Sequence, residues 1–396
     1  LPLGKNIAVR TALSRSISNG AEANKEGKMP KRVGYLYEKM CDKEKIKEAI
    51  LKSAKGKVRR HDVQKVLNSI DKYVDRTYDL LVSNSFVPSA PKSKPRYDVT
   101  SRKERIIFIV PYWPDAVIHR LMVMVCQDVL LRGMYPWSCA AIPGRGSAKA
   151  QAYVERVMHQ DPSGTKYVLK MDIHKFYPSI NHRKLIWALA RKIKDKRFLK
   201  LIWNVLETVP SGLPIGYFIC QWLANYYLEP LDWYIISLPG VKHYTRYMDD
   251  MVVFGSSKKR LHKARMLIMQ YLNRMGLELK GNWQVFPLSA RPLDFVGYKH
   301  YRSHKTCRKA TFLRFTRQCR RAQKRIAAGK PISYKMASGL LSRVGILTHC
   351  NSLGARQKYY EPIGDKRLKE VVRRESKRRL SATQRIYAGV CTKATG

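Results

Sequence analysis

The segment HYTRYMDDMVVFG, residues 243–255, decides how the rest of the chain is read. Apolar and aromatic runs flank Asp249 and Asp250 on both sides, which predicts a β-hairpin with the two acids at its turn. Adjacent carboxylates repel, and acids are scarce here: the 396 residues include 77 Lys plus Arg against 29 Asp plus Glu. A divalent cation removes the repulsion. Mg²⁺ is held by a few carboxylates and keeps its other positions for water and substrate phosphates. Phosphoryl-transfer sites add a further acid, so that two ions, roughly 3.5–4 Å apart, can hold the attacking and leaving oxygens. Asp172, in VLKMDIHKFYPSI, follows a short apolar strand as the hairpin acids do. If the two strands are neighbours, Asp172, Asp249 and Asp250 converge. An isolated Asp-Asp pair is more often a solvated loop or a helix cap, and a lone Asp after a strand is often a turn residue. The metal reading therefore depends on the surrounding segments taken together.

The formal charge of +48 exceeds what solubility requires, and so large an excess self-repels unless a polyanion is bound. Nucleic acid is the first candidate, because Lys and Arg gain affinity by releasing counterions condensed on phosphates. An anionic membrane surface is the alternative, but no run of roughly 18 apolar residues indicates a spanning helix. With 45% apolar residues the chain can bury a real core. Eight cysteines include no C-x-x-C pair, so a reduced, cytoplasmic chain without a zinc ribbon is expected. Residues 1–28 lack a signal-peptide core and read as a flexible leader.

Along the chain, residues 33–85 carry helical spacing, for example Ile46, Ile50 and Leu51. FVPSAPKSKPRYDVTSRKER reads as an exposed connection running into the strand RIIFIVP. Helices are expected over 115–131, after AAIPGRG, over 182–208, and after the Gly/Pro turn SGLPIG. KYVLKMDIHKFYPSI is expected as a strand ending near Pro178, and PLDFVGYKHY as a single strand. KKRLHKARMLIMQYLNRMGLELK is an amphipathic helix with Gly276 near its end. The last ninety or so residues are basic and mostly helical.

These segments, in this order, resemble the reverse transcriptase family over roughly residues 33–360. MDIHKFYPSI resembles the segment with the first metal-binding aspartate, GLPIGYFICQ the template-and-nucleotide segment, and YMDD the catalytic box. LELKGNWQVFP and LDFVGYKHY resemble the two segments that follow, and SRKERIIFIVP and IPGRGSAKA those upstream. The resemblance implies an α+β right-hand polymerase: N-terminal helices and fingers over 29–165, a palm with an antiparallel sheet over 166–300, and a basic helical thumb and tail over 301–396. It implies that Asp172, Asp249 and Asp250, with the backbone carbonyl of Ile173, hold two Mg²⁺, for which Mn²⁺ can substitute. Lys103 and Arg105 would clamp the incoming triphosphate with help from Arg145, and Tyr177 would act as a steric gate against ribonucleotides. Ile215 and Gln221 would face the nascent pair, Lys280 would protonate the pyrophosphate, and Phe295, Gly297 and Tyr298 would support the primer end. Template RNA, an RNA/DNA hybrid and deoxynucleoside triphosphates follow as partners.

One box narrows the resemblance. Retroviral members carry Gln where this chain has Ile215, and Ile215-Gly216, three residues, then Cys220-Gln221 is similar to the I-G-x-x-x-S-Q box of diversity-generating retroelements. Those enzymes copy RNA with errors at adenine and work with a structured RNA and a small basic helical accessory protein. Cys220 replaces the Ser of that box and Tyr217-Phe218-Ile219 its smaller residues, which keeps bacterial defence-associated members as the alternative. No Cys/His nuclease cluster follows Tyr298, which disfavours a group II intron maturase, and a group II intron or retron-type enzyme ranks below the two readings above. An inactive RNA-binding scaffold is disfavoured by the three intact acids.

Overall fold

The strand with Asp172 and the hairpin with Asp249 and Asp250 are direct neighbours in one sheet. In the computed structural model, which describes residues 31–98 and 103–378, β4 (Tyr167–His174) pairs antiparallel with β6 (Asp250–Gly255), and Asp172 lies opposite Asp250. β5 (His243–Tyr247) completes the hairpin, β3 (Ser138–Cys139) adds to it in parallel, and β7 (Glu278–Leu279) and β8 (Gln284–Pro287) pair with β4. The expected leader lies outside the described residues, as do the side chain of Lys103 and the chain end from 379.

Side chains alternate across this sheet and define its two faces. Leu169, Met171, Ile173, Met251 and Val253 join a large core with the helices. These include α1 (Leu36–Met40), α2 (Lys43–Ala54), α3 (His61–Leu67), α4 (Ile70–Val82) and α5 (Val117–Leu131) from the N-terminal part. α8 (His182–Ala190), α9 (Lys196–Leu206), α10 (Phe218–Tyr227), α11 (Glu229–Ser237) and α12 (Lys258–Met275) complete it. Gly276 ends α12 in the left-handed conformation that glycine adopts without strain. On the other face, Val168, Val252 and Phe254 pack with α6 (Ser147–Gln160) and Phe295. Asp172 and Asp250 share the register of this second face.

Several expected elements differ in detail. The connection KSKPRYD is a strand, β1 (Lys92–Asp98), paired with β2 (Lys103–Ile109). Pro95 is tolerated because this two-stranded ribbon leaves an edge that needs no donor. The single strand expected at PLDFVGYKHY is a hairpin, β9 (Leu293–Phe295) and β10 (Tyr298–His300), turning at Val296 and Gly297, both with positive φ. The helix expected over 182–208 breaks at residues 191–195, where Ile193 bridges to Val33. The turn expected at Pro178 is one helical turn, α7 (Phe176–Ser179).

The C-terminal part builds its own core from α13 (Lys309–Ala327), α14 (Tyr334–Leu347), α15 (Leu353–Tyr359) and α16 (Asp365–Arg378). Tyr298 and Cys307, on β10 and β11 (Lys305–Cys307), pack into it, so the small sheet crosses the expected boundary at 300/301. Cys41, Cys126, Cys139, Cys220, Cys307, Cys319 and Cys350 are all free. Among the described residues no helix is long and apolar enough to cross a membrane.

Candidate active site

Asp249 occupies the turn between β5 and β6, and Asp250 opens β6 directly across from Asp172. Burial, and after it the neighbouring Asp172, push the Asp249 carboxyl up to about 6, with Arg105 pulling the other way. Burial pushes Asp250 up to about 7 against the attraction of Lys170, with Asp172 and Asp249 adding to the rise. The Asp172 and Asp249 side chains lie within hydrogen-bonding reach of each other. Oδ1 of Asp250 is buried without a hydrogen-bond partner. Asp249 and Asp250, crowded beside Asp172 and one of them with an orphaned oxygen, fit a cation that would lower the cost of ionising them. Among the described residues no three or more acid, His or Cys side chains form a cluster placed to hold a metal ion. A Mg²⁺ site that keeps positions for phosphates does not require one.

Two lysines offset part of the charge. Lys280 Nζ is 2.9 Å from Asp172 Oδ2, and its backbone N–H donates to the Asp172 carbonyl at 2.9 Å. Lys170 Nζ lies 3.8 Å from Asp250 Oδ2 and donates to the Asp294 carbonyl on β9. Lys170 is two residues from Asp172, so strand alternation puts both on one face. That spacing was a readable signal, and the sequence reading missed it.

The other expected residues divide into two groups. Tyr177 stands close to the acids, its hydroxyl 3.8 Å from Met248 Sδ, and burial raises its phenol. The turn before α10 docks against it, with Leu213 N–H donating to the Tyr177 carbonyl at 2.8 Å. Ile215 is partly buried, and its carbonyl accepts from Phe108 N–H at 2.7 Å, tying this turn to β2, the strand with Lys103 and Arg105. A Cβ on Gly216 would lie 2.3 Å from the Phe108 carbonyl oxygen, so only glycine permits this approach. Cys220 is fully buried, and burial raises its thiol. Gln221 is exposed one position further along α10. Arg145 donates to the Tyr135 carbonyl at 3.1 Å.

The second group has its side chains buried. Ile173 points its side chain into the helical core, leaving only its backbone for a ligand. Phe295 packs into the core of the second face, and Tyr298 donates to the Ile346 carbonyl at 2.9 Å from within the C-terminal core. Any support for a primer from this hairpin falls to the Val296–Gly297 turn, where nothing lies within 4 Å of a Cβ built on Gly297.

Behind the Met248–Asp249 turn lies a buried network that the sequence reading did not single out. Arg246, 0% exposed, uses every guanidinium N–H. Nε and Nη2 donate to Asp232 Oδ1 and Oδ2 at 2.7 and 2.9 Å. Nη2 also reaches the Asn225 carbonyl at 2.9 Å, and Nη1 reaches Asn225 Oδ1 at 2.8 Å and the Met248 carbonyl at 3.2 Å. Tyr244 donates to Asp232 at 2.7 Å, and Asn225 donates to the Ala140 carbonyl at 2.9 Å. Met248 has φ 55°, a costly conformation for a non-glycine residue. It is held from both sides, its carbonyl by Arg246 and its N–H by the Cys139 carbonyl at 3.3 Å. An acid in the apolar helix LDWYII and an Arg in the apolar strand HYTRY were the available sign, since charges survive burial only in pairs.

A family model described as reverse transcriptase (RNA-dependent DNA polymerase) matches residues 102–300, half of the chain. The retron Ec73 reverse transcriptase of Escherichia coli is 26% identical over 215 residues, covering 51% of this chain and 64% of that protein. The group II intron-encoded protein LtrA of Lactococcus lactis subsp. cremoris is 24% identical over 139 residues, covering 33% of this chain and 22% of that one. The chain spans less than two thirds of the length of the curated relatives it matches. Among solved structures, telomerase from Candida Tropicalis in complex with a fragment of telomeric RNA aligns with a TM-score of 0.46 at 11% identity, over 81% of this chain and 67% of that one.

Proposed function

From the premise that this chain belongs to the reverse transcriptase (RNA-dependent DNA polymerase) family, we propose that it copies an RNA template into DNA by nucleotidyl transfer from deoxynucleoside triphosphates. The observation that carries the reading is the placement of Asp172 opposite Asp250, with Asp249 in the adjoining turn, in a site whose burial pushes the Asp249 and Asp250 carboxyls up. In this reading residues 29–165, 166–300 and 301–396 serve as fingers, palm and thumb.

Asp172, Asp249 and Asp250, with the Ile173 carbonyl, would hold two Mg²⁺. Bound there, the ions would neutralise phosphate charge and activate the primer hydroxyl. The remaining work falls to the chain's own groups. Arg105 and Lys103, on one strand of the β1–β2 hairpin, clamp the triphosphate where charge builds up. Tyr177, held against Met248, closes the space a ribose 2′-hydroxyl would need. Lys280 places its amine beside Asp172, from where it would donate a proton to the departing pyrophosphate. The Val296–Gly297 turn supports the primer, and the basic helices α13 to α16 grip the template–primer backbone without reading sequence.

The finer reading is an error-prone enzyme of the diversity-generating type. Ile215 supports it, because an apolar side chain beside the nascent pair lacks the hydrogen bond that Gln would offer. A structured non-coding RNA and a small basic helical protein are then its partners. The buried Cys220 and its bulky neighbours favour a defence-associated role as the second reading.

Primer extension on an RNA template with Mg²⁺ tests the activity: DNA product is expected from the native chain and none from Asp249→Asn. Absence of product from the native chain, or equal product from the variant, overturns the reading. For the subtype, Ile215→Gln is expected to raise accuracy opposite template adenine, and equal error spectra refute it. Sequencing the RNA that copurifies with the chain separates diversification from defence.

A further inference from the structure

The side of the molecule away from the acids has an unusual surface. Tyr35 is 71% exposed and Trp187 67% exposed, among the largest exposures of any aromatic side chain described. A lone exposed aromatic needs no explanation, but these two lie along one strip of chain. Arg32 donates from Nη1 to the Ala190 carbonyl at the end of α8, the helix bearing Trp187. Val33 then runs beside Ile193, with Val33 N–H to the Lys192 carbonyl and Lys194 N–H to the Val33 carbonyl, both 2.8 Å. Tyr35 follows at once.

Each ring is partnered by a cation and otherwise left open. The Arg191 guanidinium sits 5.6 Å from the Trp187 ring centre, and Lys194 Nζ sits 6.0 Å from that of Tyr35. The stem of Lys194 packs on Gly34, where even a Cβ would come within 2.8 Å of it. Tyr35 itself has φ 58°, a strained backbone that costs energy for an aromatic residue and nevertheless holds its ring outward. Lys31, Arg32, Arg183, Lys196 and Lys200 are exposed around the strip. The nearby acids are engaged: Asp195 accepts from Tyr37 and Phe198 N–H at 2.8 and 3.0 Å, and Glu38 faces Arg197 at 4.0 Å. The strip is thus strongly positive with open aromatic faces.

We propose that Tyr35 and Trp187, with Arg32 and Lys194, form a platform for single-stranded RNA outside the catalytic site. Alternating aromatic faces and cations are what a flexible strand requires, the bases stacking on the rings and the phosphates meeting the charges. A structured duplex would find no groove-filling element here. The platform is separate from the acids. α8 sends Leu185 and Leu189 into the core shared with Met171 and Met251, whereas Asp172 and Asp250 lie in the register of the opposite face. The proposal therefore goes beyond the polymerase reading and stands without it.

The test uses the full chain with fluorescent polyuridylate and its 4-thiouridine photocrosslinking form, in the presence of excess unlabelled template–primer duplex to saturate the catalytic site. Crosslinks at peptides containing Tyr35 or Trp187 are expected. Trp187→Ala and Tyr35→Ala are each expected to weaken polyuridylate binding about tenfold, within the range of base–aromatic stacking. Trp187→Phe, which keeps a ring, should retain most of it. Arg32→Gln should lower the salt dependence by about 0.7 in logarithmic slope, the value for one phosphate contact on a single strand. Primer extension on a preformed duplex should be unchanged in Trp187→Ala, which separates this outcome from failure of the polymerase reading. Crosslinks confined to the catalytic face, or binding unchanged in the Tyr35→Ala/Trp187→Ala pair, overturn the proposal. So does self-association of the chain that Trp187→Ala abolishes, since a second copy would then be the occupant.

Discussion

Replacing Arg246 by Met tests whether the buried network positions the turn bearing Asp249 for the proposed activity or only stabilises the fold. The substitution keeps most of the side-chain volume but leaves Asp232, itself 0% exposed, with the Tyr244 hydroxyl as a remaining donor. Removing one partner of a buried pair costs about 3–5 kcal/mol, a large part of the roughly 5–15 kcal/mol that holds a domain together. Urea denaturation should register that loss. Arg246→Met/Asp232→Leu should recover most of it, since an apolar pair of similar volume is often as stable as a buried ion pair. Activity should not return with stability. The charged hydrogen bond from Nη1 to the Met248 carbonyl, 3.2 Å, is absent in both variants. Such a bond contributes about 1.5–3 kcal/mol. If the strained turn carrying Asp249 loosens by that amount, kcat for primer extension falls by roughly 10- to 100-fold, while KM for the nucleotide moves little. Recovery of native kcat by the stabilised double variant would refute the positioning role and leave Arg246 purely structural.

Three other outcomes follow from the same geometry. Gly216→Ala, whose Cβ would meet the Phe108 carbonyl at 2.3 Å with φ at +121°, should detach the β1–β2 hairpin and raise KM for deoxynucleotides. Steady-state primer extension checks this, and an unchanged KM contradicts it. Tyr177→Ala should admit ribonucleotides, read as alkali-labile product; a product still resistant to alkali argues against the gate. In metal-free buffer, Asp249 and Asp250 titrate near 6 and 7 when folded but near 3.8 when unfolded. The folded state thus binds more protons in that window, so stability falls as pH rises from about 4 to about 7. Melting temperatures in EDTA should show that fall, Asp250→Asn should shrink it, and a flat profile would contradict the crowding of the acids.

Much of the fold was legible because it rests on local periodicity. The alternation in HYTRYMDDMVVFG gave the hairpin, and the apolar strand before Asp172 matched it, so their pairing was a short step. The α12 helix with Gly276 at its end was equally readable. What periodicity could not resolve were breaks made by distant partners. Residues 191–195 interrupt a helical pattern because Val33 pairs there, and Phe295 and Tyr298 face two separate cores because the chain turns sharply at Val296–Gly297. The one site signal present but unread was Lys170, two residues from Asp172 on the same face.

By itself, then, the sequence determined the three acids and their order, and it was the segments around them, not the adjacent pair alone, that pointed to a cation between them. Tertiary structure alone decided how strained those acids are and what holds them. Burial, not sequence adjacency, is the largest influence on Asp249 and Asp250. The Arg246–Asp232 pair that fixes their turn joins residues from β5 and α11 whose meeting no local pattern encodes. The same holds for the Tyr35–Trp187 strip: two ordinary exposed aromatics in sequence become one surface only because Val33 is laid beside Ile193.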